Sequence, residues 1–413
     1  MDDVQQSQSG CRLLHLPDAC LVAVLRCCTD DPRSLFSAAR AHSRLHQAVA
    51  LAANSIKAVL TQEHVDSMLR YLANHGQHID SVDLKGPLKG KQGSPTLQRL
   101  PHTSLTKLSN LELSVCRLQL QPGNGSQGAL GAGLPLQQLR LSCCTLLDGV
   151  AGLAAALALL PELHHLVLIR LISESGCYAG FPSSALISVP QLTYLDWVGG
   201  AWQDPGGLQH LQRLTRLQHL QLCTYDQHTV QASSLSGLQS LTCLKLHDVV
   251  CPSVIEPGAL AGLTQLQHME MLRYSIAGGA AGVAQLLSQL EPLQQLTHLA
   301  LLYTHSSQEQ HPPAACFSAV TASSTLHDLD VGCCILPAGV WQHFFPAGRR
   351  LPHLTSFYVT AETYPQPHLE AVAPAGELLV RCCPNLQVSW GGRGGFKGRP
   401  RSSFFHLVCL VLL

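Results

Sequence analysis

The hydrophobic pattern of the chain repeats from residue 82 to residue 388. Its unit is Leu-x-x-Leu-x-Leu, with substitutions, and a single residue separates the last two apolar positions of each unit. Successive units follow at steps of 24 to 30 residues, which indicates an array of similar structural units. The twelve apolar pairs are Val82/Leu84, Leu111/Leu113, Leu139/Leu141, Leu166/Leu168, Leu195/Trp197, Leu220/Leu222, Leu244/Leu246, Met269/Met271, Leu299/Leu301, Leu329/Val331, Phe357/Val359 and Leu386/Val388.

This spacing predicts a short β-strand in every unit. Two apolar residues that are separated by one residue point to the same side of a strand, and the residue between them points to the other side. A single unit cannot cover its own leucines, so neighbouring units must stack into one parallel sheet, where each buried leucine contributes about 1.5–3 kcal/mol. The pattern resembles the leucine-rich-repeat family, which implies an α/β solenoid with a curved parallel sheet over residues 79–390, in about 12 repeats.

The segments between the predicted strands are less regular. Residues 148–163 and 278–293 carry Ala and Leu at helical spacing and predict short helices. Residues 85–104, 121–133 and 303–315 are rich in Gly, Ser or polar side chains and predict loops at one rim of the solenoid.

Composition excludes several classes of protein. Leucine supplies 75 of the 413 residues and aromatic residues only 5%, so leucine forms most of the core. Lys and Arg together equal Asp and Glu, which argues against nucleic acid or a membrane surface as the main partner. No apolar stretch reaches the roughly 18–20 residues that cross a bilayer. The absence of a signal-like N-terminus and the four Cys-Cys doublets predict reduced thiols in the cytoplasm or nucleus.

Residues 16–50 precede the repeat and predict two or three short helices. A Leu-Pro-Asp helix start, a helically spaced apolar run, a polar break and a second apolar run follow one another. The segment resembles an F-box, which implies docking on a Skp-family adaptor of a cullin ubiquitin ligase of the SCF type, while the repeats hold a protein substrate. The residues that match the motif and would dock are Leu16, Pro17, Leu21, Val24, Leu25, Leu35 and Phe36.

An alternative assigns no ligase link to this segment. In that interpretation residues 16–50 only cap the open end of a freestanding leucine-rich-repeat scaffold, since the first repeat needs its leucines covered. Residues 1–15 are expected to be disordered and residues 51–78 to form a helical linker or cap. Residues 391–413 form a tail that matches neither motif, and its role stays open.

The strand residues that alternate with the apolar pairs predict a protein-binding surface. They carry charges of both signs, so a mixed polar and aromatic contact with a substrate is expected rather than a charged one. The expected contact residues are His165, Tyr194, Asp196, His219, Gln221, Lys245, His268, Glu270, His298, Asp330 and Tyr358.

Four of the units place His219, Cys243, His268 and His298 in the same position, which predicts a ladder with steps of about 4.8 Å. Zinc binding and a pH-sensitive contact are alternative interpretations of this ladder. A ladder about 15 Å long cannot close around one ion with all four members, so no metal site is predicted.

No catalytic or cofactor site is predicted either. The sequence shows no nucleophile with a base, no paired carboxylates in a motif and no phosphate-binding loop in a convincing context, so a non-enzymatic protein without a cofactor is expected. Cys116, Cys144 and Cys334 each lie three residues after the second apolar residue of a unit. At that point such repeats turn the chain, so these cysteines are interpreted as structural.

Overall fold

We analysed a computed structural model of the chain, which separates into two compact units. The first unit is Met1–Leu163 with Arg170–Cys177, and the second is His164–Ile169 with Tyr178–Leu413. The residues that the structure describes are 16–26, 37, 41–52, 54–87, 93–121, 128–131, 133–180, 183–200, 208–224, 229–248, 253–272, 274–302, 312–331, 336–337, 339–360 and 378–391. Residues 1–15, Leu35, Phe36 and the tail after residue 391 lie outside them.

The helices of the described residues are short. Two of them, α4 and α6, lie within the Ala/Leu-rich stretches at 148–163 and 278–293, and both predictions are confirmed. No described helix is long and apolar enough to cross a membrane. The α-helices are α1 Asp18–Arg26, α2 Ser43–Ala52, α3 Gln62–His75, α4 Gly149–Leu157, α5 Ala232–Leu235, α6 Gly279–Ser288 and α7 Trp341–Phe344. Short 3-10 helices are Gly76–His78, Ser183–Ser188, Gln209–Arg213 and Ala314–Thr321.

In the part of the first unit that the structure describes, the larger sheet has four parallel strands. Each strand aligns its apolar pair with that of the next, as Val82 aligns with Leu111 and Leu111 with Leu139. The strands are β1 Ser55–Val59, β2 Ser81–Lys85, β3 Asn110–Ser114 and β4 Gln138–Ser142. Strand β1 corrects the sequence analysis, because it adds a sheet strand to the segment 51–78, which was expected to be a helical linker or cap.

In the described residues, the larger sheet of the second unit has nine parallel strands. They are β5 His165–Ile169, β6 Tyr194–Gly199, β7 His219–Thr224, β8 Cys243–Asp248, β9 His268–Leu272, β10 His298–Leu302, β11 Asp328–Asp330, β12 Ser356–Thr360 and β13 Gln387–Gly391. Their predicted pairs stay in register from Leu166 to Phe357. The last unit is an exception, because Phe357 aligns with Val388 rather than with Leu386. The register matches Val388 and Trp390 to Phe357 and Val359, two residues later than predicted.

The buried pairs identify the fold. Leu84, Leu139, Leu220 and Leu246 are fully buried, and most residues between paired positions are partly or fully exposed, with the apolar Val167 and Ala300 as buried exceptions. Short parallel strands form a second sheet in each unit: Thr96–Leu97, Arg117–Leu118, Thr145–Leu146 and Ile172–Ser173 in the first, and Thr229–Val230, Ser253–Ile255 and Tyr274–Ile276 in the second. Thr96–Leu97 falls in a segment predicted as a loop. Parallel strands that recur at this step with buried leucine pairs are the α/β leucine-rich-repeat solenoid.

A left-handed residue ends several strands and turns the chain. Val115 has φ 57° and Cys143 has φ 53°, and each comes directly before a buried cysteine. The thiol of Cys116 donates to the Ser114 carbonyl at 3.3 Å, and that of Cys144 donates to the Leu113 carbonyl at 3.3 Å. These two cysteines therefore have the structural role that their position predicted, while Cys334 lies outside the described residues.

Candidate functional site

The candidate site is the polar side of strands β5 to β12 in the second unit. In β6, β7 and β8 partly exposed residues alternate with fully buried ones, because every second side chain of a strand points away from the core. Parallel pairing in register then brings equivalent residues of neighbouring strands side by side. The result is three rows of side chains that run across the strands. The first row consists of the first residue of each strand, the second row of the third residue, and the third row of the fifth residue where the strand is long enough.

The first row is a stack of aromatic rings. The ring of Tyr194 lies between His165, at a centroid distance of 3.9 Å, and His219, at 4.2 Å. Two strands further on, the imidazoles of His268 and His298 stack at 4.1 Å with an interplanar angle of 1°. The predicted ladder register is confirmed by the strand pairing, which aligns His219 with Cys243, Cys243 with His268, and His268 with His298.

Glu270 is the electrostatic centre of the second row. Its carboxylate lies 3.3 Å from Lys245 Nζ, 3.2 Å from His247 Nε2 and 3.8 Å from His268 Nε2. The imidazoles of His247 and His268 hold the pKa of the Glu270 carboxyl below its ordinary value, and Lys245 adds to this effect against the opposing effect of burial. A charged carboxylate is therefore present in this cluster at neutral pH.

His219, His298 and Cys243 of the first row are neutral at physiological pH. Burial, and then the nearby Lys245 ammonium, lower the pKa of His219 to about 4. Burial also lowers the pKa of His298, although Asp328 Oδ2 lies 3.4 Å from its Nδ1 and opposes that effect. Burial raises the pKa of the Cys243 thiol to about 11. His219 and His298 therefore present uncharged ring faces.

The predicted contact residues outside this cluster follow the same rows. In the second row, Asp196 of β6 lies beside Gln221 of β7, and Asp330 of β11 lies beside Tyr358 of β12. The structure thus brings all the predicted surface residues onto one side of the sheet. It also adds His247, which the sequence analysis missed because the search ended at the second apolar residue of each unit, one position before the third row.

The polar side of β1 to β4 in the first unit is different. There the exposed charges are compensated by close partners, with Lys85 Nζ 3.1 Å from Asp83 Oδ2 and Arg140 Nε 3.5 Å from Glu112 Oε1. An open polar cavity of about 640 Å³ lies at the start of these strands, lined mainly by Ser, Thr, Asn and Gln side chains together with the charged residues Asp80, Lys107 and Glu162. It has no aromatic lining, so it offers less contact energy to a protein partner than the ring row.

The N-terminal helices α1 and α2 form a small core of their own. Its buried members are Leu21, Leu25, Leu45, Ala48 and Val49, with Leu16 and Val22 packed against it. Of the predicted docking residues, Leu21 and Leu25 hold the two helices together, Leu16 is half-buried, and Pro17 and Val24 are exposed. Arg44 joins the helices through Asp18 and the Leu16 carbonyl. Leu35 and Phe36 lie outside the described residues.

The described part of the chain contains no group of three or more His, Cys, Asp or Glu side chains arranged to hold a metal ion.

Comparisons with known proteins give only distant likeness. No family model and no curated protein matches the chain. Among solved structures, a crystal structure of an internalin from Listeria monocytogenes is 17% identical and has a TM-score of 0.40, with 72% of this chain and 87% of that chain covered. A structure of an octameric complex of Latrophilin 3, Unc5D and FLRT2 leucine-rich repeats is 16% identical and has a TM-score of 0.41, with 76% and 84% covered.

Proposed function

We propose that the protein is a non-enzymatic scaffold that binds a protein partner on the polar side of strands β5 to β10. One observation carries the proposal: the row of stacked rings formed by His165, Tyr194, His219, His268 and His298. Aromatic side chains held rigidly by a sheet lose little conformational freedom on binding, and such residues dominate the binding energy of protein interfaces. A row of five strand steps spans about 24 Å, the scale of a protein surface rather than of a small ligand.

Site-specific photocrosslinking tests this proposal. A photoreactive phenylalanine analogue at Gln221, in the second row, is compared with the same analogue at Arg216, which is exposed but precedes strand β7. We expect discrete protein adducts from position 221 that excess unmodified protein competes away, and that the Tyr194→Ala variant reduces. The captured partner is then purified and its binding measured with both variants. Adducts of equal yield from positions 221 and 216 would contradict the proposal.

A second candidate function is that of a substrate receptor of an SCF-type ubiquitin ligase. Helices α1 and α2 support it, because they form a self-contained core and leave Val24 42% exposed on the outside. In this proposal that face contacts a Skp-family adaptor, which links the chain to a cullin, and the repeats hold the substrate in the cytoplasm or nucleus. An isolated exposed valine is also normal on a protein surface, so the scaffold function is the better supported of the two.

Co-purification of the full chain with a Skp-family adaptor tests the second candidate. Val24→Glu introduces a charge on the exposed face without touching the buried Leu21 and Leu25. We expect the wild type to retain the adaptor and Val24→Glu to lose it, whereas Ala23→Ser, at an exposed neighbour, retains it. Failure of the wild type to retain any adaptor would remove the ligase function and leave the scaffold function intact.

A further inference from the structure

The ring row has a gap at strand β8. His219 and His268 lie two strand steps apart, and the residue between them is Cys243. Two steps of a parallel sheet separate the two strands by about 9–10 Å. Elsewhere in the row neighbouring rings stack at 3.9 to 4.2 Å, so one flat ring in contact with both imidazoles needs about 8 Å. The gap therefore has the width of a single aromatic ring.

The gap is open toward solvent. The side chain of Cys243 ends at Sγ, one atom beyond Cβ, so it does not reach as far from the sheet as the imidazoles on either side. Cys243 remains partly exposed although rings flank it, and the side chain of His268 is 30% exposed. His219 stacks on Tyr194 with one face, which leaves its other face directed along the row toward β8.

The charges around the gap favour an uncharged occupant. The nearest charged groups lie in the second row, where Lys245 and Glu270 are 3.3 Å apart and compensate each other. Of the two imidazoles that flank the gap, His268 has its Nε2 3.8 Å from the Glu270 carboxylate, and His247 Nε2 lies 3.2 Å from the same carboxylate. A guanidinium placed here meets the Lys245 ammonium, and a carboxylate meets Glu270. A neutral ring meets neither penalty and gains two stacking contacts.

We propose that the gap above Cys243 binds one aromatic side chain of the partner protein, stacked between the imidazoles of His219 and His268. This deepens the proposed scaffold function and rests on it. The inserted ring completes an unbroken stack from His165 to His298. An aromatic anchor that fills a preformed pocket at the centre of a contact surface is the usual form of an interface hot spot.

Two sets of variants at Cys243 test the proposal with the full chain. Cys243→Tyr and Cys243→His fill the gap with a ring of the chain itself, while Cys243→Ser keeps it open. The probes are N-acetyl-tyrosine amide and N-acetyl-tryptophan amide, with the arginine and leucine amides as matched comparisons. Binding is followed through the resonances of carbon-13-labelled histidines, where a stacked ring shifts nearby protons upfield. His327, which stacks on His353 elsewhere in the unit, is the internal reference.

We expect the aromatic amides to shift the His219 and His268 resonances saturably in the wild type and in Cys243→Ser. Binding should weaken by roughly tenfold or more in both ring-filling variants, while the His327 resonance stays unchanged. Equal shifts in all four proteins, or tighter binding of the arginine amide than of the aromatic amides, would overturn the proposal. Saturable crosslinking at position 221 without any aromatic binding would mean that the scaffold function holds and the ring-binding gap does not.

Discussion

Truncation of one core leucine measures how strongly neighbouring repeats depend on each other. Leu222 is fully buried, and the strand register places it between Trp197 and Leu246, which are also fully buried. Leu→Ala in a packed core costs about 2.7–5 kcal/mol, and the cost rises with the cavity that remains. Because both neighbours are fixed in a hydrogen-bonded sheet, the site cannot collapse around the smaller side chain. We therefore expect Leu222→Ala to cost about 4 kcal/mol.

Native-state hydrogen exchange is the assay, because it reports stability strand by strand. We expect the protection of amides in β7 and in the adjoining strands β6 and β8 to fall by roughly 10²–10³-fold, since each 1.4 kcal/mol is tenfold. Ile187→Ala is the control, because Ile187 is 39% exposed and its truncation should change protection little. A loss below about 1 kcal/mol, or a loss confined to β7, would refute the idea that each repeat is stabilised by its neighbours.

Two further predictions concern backbone strain and pH. Val115 is a β-branched residue at φ 57°, so Val115→Asn should raise the free energy of unfolding by about 1 kcal/mol in urea titrations, and no gain over Val115→Ala would argue against strain. The folded-state pKa of His219 is about 4, below the 6.5 of the unfolded chain, so the unfolded chain binds more protons between these values. Stability should therefore fall by about 1–2 kcal/mol, after allowance for solvent screening, as pH drops from 6.5 to 4, and His219→Gln should flatten that slope in thermal melts.

The sequence predicted the sheet well because leucine pairs are nearly unambiguous. Where both positions are large and apolar, as in Leu220/Leu222, the register is confirmed from β2 to β4 in the first unit and from β5 to β12 in the second. Strand β1 escaped detection because its pair is Ile56 and the small Ala58, which is only half-buried. The last unit was misplaced because Leu386, Val388 and Trp390 offer two overlapping apolar pairs, and pattern alone does not choose between them.

The sequence predicted which residues form the rows of the candidate site, but not which of their side chains stack or form ion pairs. Strand alternation places His219 and His268 on the polar side of the sheet from sequence alone. The stacking of their rings depends on side-chain torsions, and the contacts of Glu270 with His247 and His268 cross between rows, so neither follows from spacing. The gap at Cys243 becomes visible only once the rings beside it are seen to stack.

The constant register of the strands makes each repeat a unit that could be removed or added as a whole. The stretch from His219 to Thr242 is one complete unit of 24 residues, because His219 and Cys243 occupy equivalent positions. Excision of that stretch would join the end of one coil to the start of the next without displacing any buried position, and Tyr194 would then stand beside Cys243. A chain built in this way changes length by whole repeats. The residues on its polar side can be brought into new combinations while the buried leucine pairs are kept.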